Sequence, residues 1–346
     1  MQSLTQINIP IPARPWTGTA PPKKILAIRL QAMGDTMITL PYLQYLRNNL
    51  PADTRIDFLT REETRDIPDN IHLFDKVYAL GGGRSFKRQM ALALLLLPRL
   101  LLQRYELVID LQNNTISRII RKALAPAAWS AFDRYSPIPA GERNRLTIEA
   151  AGLGKNEMDT RFRLKAHYEA AAVLRNKGWK EGSPLIVLNP AGAFPTRNWE
   201  LLNYVYFAEL CLQQWPDCTF LVAGTSFIRE KAAILKSALG DRLIDLTSQT
   251  TPSGIFAILQ QATLVLSEDS GLLHMAWISG IPNIALFGST RSDWSRPLGP
   301  HSLFLDSSDL PCGNCMESRC RYGDVYCLNR ISPEQVFTLA LFLLQK

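Results

Sequence analysis

From Lys24 onward the chain alternates short apolar runs with longer stretches of helical periodicity. Ile25-Leu26-Ala27-Ile28-Arg29-Leu30 lies between Pro21-Pro22-Lys23-Lys24 and Met33-Gly34-Asp35 and reads as a buried strand. Met37, Leu40, Leu43 and Leu46 recur at a spacing of three, predicting a helix over residues 36–48 with Pro41 early in it. Residues 55–60 alternate as a strand, and 76–80 form another that ends at Gly81-Gly82-Gly83. A long helix is predicted over 85–104 and a strand over 107–111. Residues 136–165 are polar and basic, and the alternation pauses there.

A predicted helix over 167–177 leads into Gly178-Trp179-Lys180-Glu181-Gly182-Ser183-Pro184, a linker by composition. A second series follows, with strands over 185–188, 219–223, 243–246, 264–266 and 283–287. Helices are predicted over 201–215, 229–239, 253–261 and 272–279, with a last one over 332–345. Such alternation implies parallel sheets covered on both faces. The predicted organisation is an irregular extension at 1–23, an α/β domain at 24–165, a linker region at 166–184, a second α/β domain at 185–331 and a C-terminal helix at 332–346. Open parallel sheets bind ligands at the carboxyl ends of their strands, so the two sets of strand-end loops are expected to line a cleft.

Composition narrows the class. With 346 residues, 47% hydrophobic and 20% charged, the chain suits about two globular domains and is neither disordered nor fibrous. No apolar run reaches the ~18–20 residues of a membrane span; the longest, Met90 to Leu102, contains Pro98 and Arg99. Six cysteines are too few for a disulfide scaffold. The N-terminal stretch is proline-rich and has no signal-peptide core, so a cytoplasmic protein is expected. Residues 1–165 hold 24 Lys+Arg against 15 Asp+Glu, whereas 166–346 hold 14 against 16. A basic first half suits an anionic partner. Aromatics interleaved with Lys and Arg, or a reader motif, are lacking, so no nucleic acid is expected. Neither half shows a dinucleotide fingerprint or a Walker loop.

Five stretches could carry chemistry. Gly34 permits a tight turn, and Asp35 stands at or near the next helix's N-cap. It is either a cap or a carboxylate placed to take a proton from an acceptor hydroxyl. Residues 189–199 are rich in small side chains that admit a ligand, and Arg197 offers a planar fork suited to phosphate. In Ser267-Glu268-Asp269-Ser270-Gly271-Leu272-Leu273-His274, a strand hands over to a helix start, where unpaired amides favour phosphate. Asp269 suits sugar hydroxyls there better than a diphosphate. Cys312, Cys315, Cys320 and Cys327 lie close enough in sequence for a tetrahedral zinc site, but not at a standard zinc-ribbon spacing. The helix over 85–104 has basic ends that suit an anionic membrane, but its middle is apolar all round, which favours burial in a core.

Together these segments resemble glycosyltransferase family 9, the heptosyltransferase-like enzymes of lipopolysaccharide core synthesis. Ile25 to Pro41 resembles that family's opening motif, Tyr105 to Gln112 its fourth-strand motif, and Asn189 to Trp199 its phosphate-binding loop. Asp269-Ser270-Gly271, His274, Gly280 and Pro282, followed by Phe287-Gly288 and Thr290, resemble its donor signature. The cysteine cluster before Ile331-Ser332-Pro333 resembles the ending of many members. The resemblance implies a GT-B architecture with an N-terminal acceptor domain and a C-terminal nucleotide-sugar domain. It implies an inverting transfer with no obligatory cofactor or catalytic metal, from a nucleotide-sugar (ADP-heptose by default) to an anionic glycolipid at the cytoplasmic membrane face. Asp35 then matches the general base, and Asn189, Gly192, Arg197, Gly224, Asp269, Ser270, Gly271 and His274 match donor-binding positions. Three departures stand out. Arg197 falls where members usually carry Lys, Asn113-Asn114 where a Gly is usual, and Thr225-Ser226 where a ribose-binding carboxylate is frequent. The rival expectation is a catalytically lost binding protein on the same fold.

Overall fold

The computed structural model describes residues 11–165 and 168–345. The chain divides into two compact units between Asp159 and Thr160. In the first, six strands are β1 (Ala13–Arg14), β2 (Lys24–Ile28), β3 (Arg55–Arg61), β4 (Lys76–Leu80), β5 (Leu107–Asp110) and β6 (Ala128–Ala131). Their order is β1-β6-β5-β2-β3-β4, parallel throughout except for β1. Ile25 to Ile28 are fully buried, as expected for a central strand covered on both faces.

The second unit repeats the plan with β7 (Leu185–Asn189), β8 (Thr219–Val222), β9 (Leu243–Asp245), β10 (Leu264–Glu268), β11 (Asn283–Leu286) and β12 (Ser302–Leu305). Their order is β12-β11-β10-β7-β8-β9, all parallel. One face of this sheet packs Ile186, Leu188, Phe220 and Leu266 against Trp199, Tyr204 and Phe207. The fold is GT-B: two Rossmann-like parallel α/β units.

Several local expectations change. Ala13–Arg14, inside the stretch read as an irregular extension, pair antiparallel with Trp129 and Ser130; residues 1–10 lie outside the described residues. The polar pause at 136–165 contains the helix Ala140–Glu149. Its buried residues are Ala140, Gly141, Arg143, Asn144, Thr147 and Ile148, with too few large apolar positions among them for an apolar period to show. The helix expected from His167 runs over Ala170–Asn176, and His167 itself lies outside the described residues.

The long helix, Phe86–Leu101, is not the buried element that its composition favoured. Only Gln89, Ala93 and Leu100 are buried, with Met90 and Leu96 partly packed against the same core. Spacings of three and four put these five on one stripe, and the rest of the helix faces outward.

Candidate functional site

In the first unit, Asp35 is the third residue of the helix Met33–Asn49, not its cap; Ala32 holds the cap position. One carboxylate oxygen accepts the Ala32 amide at 3.0 Å. The other lies 2.9 Å from Arg29 Nη2. Arg29 is itself buried, donates from Nε to Gln31 O at 2.9 Å and from Nη1 to Leu111 O, and stands over the Phe132 ring. Gln112 Oε1 accepts the amides of Leu30 and Gln31 at 2.9 Å each. β2 and β5 run in register, Ile28 opposite Asp110, so their carboxyl ends meet and build this turn together. The Asp35 side chain remains 42% exposed. It is therefore an oriented carboxylate that still meets solvent, the state a proton acceptor needs.

In the second unit, register again does the assembly. Asn189 ends β7 opposite Ser267 of β10, and its Nδ2 donates to Ser267 Oγ and Ser270 Oγ at 2.7 Å each. Ser270 caps the helix Gly271–Ile278 by accepting the Leu273 amide. First-turn amides have no intrahelical acceptor and leave partial positive charge at the helix start. His274 is buried in that first turn and a half. Arg197 ends a tight turn, Pro195–Arg197. Its Nη1 lies 3.5 Å from Asp269 Oδ2, and its guanidinium stands over Phe194. Arg197 Nε is buried without a hydrogen-bond partner among the described residues. The structure thus brings Asn189, Gly192, Arg197, Asp269, Ser270 and Gly271 into one neighbourhood. Gly224 lies elsewhere on the same side, just past β8, and its carbonyl accepts the Ser248 amide at 2.7 Å.

The loop from 189 to 199 depends on glycine. A Cβ on Gly192 would sit 2.5 Å from Arg197 O, and one on Gly288 would sit 2.1 Å from Thr196 O. Neither approach tolerates a side chain.

Two residues that hold this loop were given no role by sequence reasoning. Glu268, the buried last residue of β10, accepts the amides of Gly192 and Trp199, each at 2.7 Å. Burial pushes its carboxyl up to about 7, opposed by Lys231 and by those two amides. Lys231 Nζ donates to Pro190 O at 2.7 Å and to Asn198 Oδ1 at 2.8 Å. One clue was available: a charged residue closing an otherwise apolar strand, immediately before Asp269.

The four cysteines are free thiols that line one cavity of about 350 Å³, together with Thr196 and Ser289. Among the described residues no three His, Cys, Asp or Glu side chains stand close enough to hold a metal, while burial, and after it the other three thiols, push the Cys327 thiol up. Left-handed residues Asn314, Met316 and Val325 turn the backbone between the thiols, and Cys320 Sγ points to Asp324 Oδ1 at 3.6 Å. The segment is fastened to the loop by Thr196 Oγ1, which donates to Glu317 O at 2.6 Å, and to the turn after β11 by Met316 N, which donates to Ser289 O at 2.8 Å.

A guanidinium, a helix start and a flanking carboxylate stand together here, a set whose charges and donors suit an anionic group beside hydroxyls. The profile of glycosyltransferase family 9 (heptosyltransferase) matches residues 95–326. The chain belongs to that family and is a glycosyltransferase. It is 22% identical to lipopolysaccharide heptosyltransferase 1 of Pseudomonas aeruginosa, over 91% of this chain and 96% of that one. Its fold matches a family 9 glycosyl transferase from Veillonella parvula at TM-score 0.77 and 18% identity, covering 93% and 97% of the two chains. It matches the ADP-heptose lps heptosyltransferase II of E. coli at TM-score 0.73 and 17% identity, covering 93% and 98%.

Proposed function

We propose that the protein transfers a heptose from ADP-heptose to a lipopolysaccharide-core or related glycolipid acceptor, with inversion at the anomeric carbon. The observation that carries the donor half is the Arg197–Asp269 pair at the start of the helix Gly271–Ile278. The likeness to the E. coli ADP-heptose lps heptosyltransferase II supports ADP-heptose as the donor.

In the proposed step the acceptor hydroxyl oxygen attacks the anomeric carbon. The bond from that carbon to the diphosphate breaks, and ADP departs with the electron pair. Arg197 and the amides at Ser270 and Gly271 stabilise the charge that builds on the leaving diphosphate. Asp269 takes sugar hydroxyls, with Asn189, Gly192, Gly224 and His274 shaping the surroundings. Asp35 accepts the proton of the attacking hydroxyl. The positive charge of Arg197 and the helix start does the work that a metal would do in other transferases, so none is required by this scheme. A catalytically lost scaffold is the weaker reading, since carboxylate, guanidinium and capped helix are all in place.

The test is Asp35→Asn, assayed for transfer and for thermal stabilisation by ADP-heptose. Transfer should fall by roughly 10²–10⁴-fold while the donor still raises the melting temperature. Near-normal turnover would remove Asp35 from the base role. Failure of ADP-heptose to stabilise the unmodified chain would overturn the donor.

A further inference from the structure

The outward face of the helix Phe86–Leu101 has no assigned purpose. Leu94, Leu95, Leu101 and Leu102 are exposed, Leu95 at 73% and Leu102 at 79%, and so are Phe86 and Leu92. A monomeric soluble protein seldom concentrates large apolar side chains in this way unless the patch binds something. Positions 88, 92, 95, 99 and 102 follow one another at four- and three-residue spacings, so they run as a single stripe along the helix.

Charge identifies the occupant. Arg84, Lys87 and Arg88 precede or open the helix, and Arg99 and Arg104 close it, all exposed. Residues 81–105 contain no Asp or Glu. The helix that packs beside it, Thr115–Leu124, exposes Arg118, Ile119 and Lys122. Leucines flanked by cations at both ends, on a helix too short to cross a bilayer, are the make-up of a helix that lies in a lipid interface. Its apolar side enters the acyl boundary while the Lys and Arg heads reach anionic headgroups. A second copy of the chain is a poor partner, because a two-fold contact would bring these cations together with no carboxylate to answer them.

We propose that the helix Phe86–Leu101, continued to Leu102, docks the first unit onto an anionic lipid bilayer. The surface stands on this helix alone and survives a failure of the donor assignment. The full chain is floated with vesicles of equal parts phosphatidylglycerol and phosphatidylcholine, and with phosphatidylcholine alone. It should rise with the anionic vesicles and far less with the neutral ones, and added salt should weaken the association. The double variants Leu95→Gln/Leu102→Gln and Lys87→Gln/Arg88→Gln should each reduce partitioning by about tenfold or more. Both should keep the unmodified melting temperature and the unmodified response to ADP-heptose. Absence of flotation, flotation independent of lipid charge, or unaltered flotation of both variants would overturn the proposal. So would a concentration-dependent rise in mass without lipid that the leucine variant abolishes, since that assigns the face to self-association.

Discussion

Arg29 grips Asp35: Nη2 stands 2.9 Å from Oδ1, while Nε and Nη1 of the same guanidinium donate to the carbonyls of Gln31 and Leu111. The carboxylate is aimed by a buried, rigid partner. Arg29→Met should leave Asp35 in place but free to turn. We expect kcat to fall by roughly ten- to a hundredfold with little change in stabilisation by the donor. Steady-state kinetics on purified protein would show it, and unchanged kcat would mean that Asp35 orients itself through the Ala32 amide alone.

Glu268 makes stability depend on pH with a defined sign. Its carboxyl ordinarily titrates near 4.5 and here near 7, so the folded state holds the proton more tightly than the unfolded one. Its contribution is therefore fully present below about pH 4.5 and is lost as pH rises through about 7. Glu268→Gln should remove that slope from a plot of stability against pH, as measured by urea unfolding. The substitution also turns an amide NH₂ toward the Gly192 or Trp199 N–H, at a cost of about 1–3 kcal/mol. A slope unchanged in the variant would assign the titration to another group.

The cation beside Asp269 is an arginine rather than a lysine. Its fork can meet two oxygens at once, whereas an ammonium is a point charge. Arg197→Lys should keep part of the activity, within about tenfold, and Arg197→Ala should lose about 10²-fold or more. Donor titration by calorimetry beside the transfer assay would separate binding from rate. Equal activity of the alanine variant would show that the helix start alone holds the diphosphate.

At Gly288 even one methyl group has no room, because it would meet the Thr196 carbonyl at 2.1 Å. Gly288→Ala should push the 189–199 loop outward and cost about 1–3 kcal/mol, with loss of stabilisation by the donor. Retention of both properties would show that this loop adapts.

Much of this was legible beforehand, for physical reasons. β4, Lys76–Leu80, and the helix Arg229–Leu239 fall where periodicity puts them, because their apolar positions meet a core directly. β6 and β12 do not show in the pattern: Ala-Trp-Ser-Ala is short and small at all but one position, and Ser302–Leu305 lies at a sheet edge where burial is partial. The helix Phe86–Leu101 was legible as a helix but not in its surroundings, since a leucine-rich run reads alike whether protein or another apolar phase covers it. Asp269, Ser270 and Gly271 stand out because they lie where an apolar strand hands over to a helix start. The anchoring by Glu268 did not, because its partners, Gly192 and Trp199, are distant in sequence and meet it only through their backbone amides.

The fastening of Thr196 to Glu317, 121 positions away, and of Trp199 to Glu268, 69 away, makes the 189–199 loop a joint between distant segments of the second unit. It is held by β10 at one point and by the cysteine segment at another, so a substitution that shifts either one displaces Arg197 without contacting it.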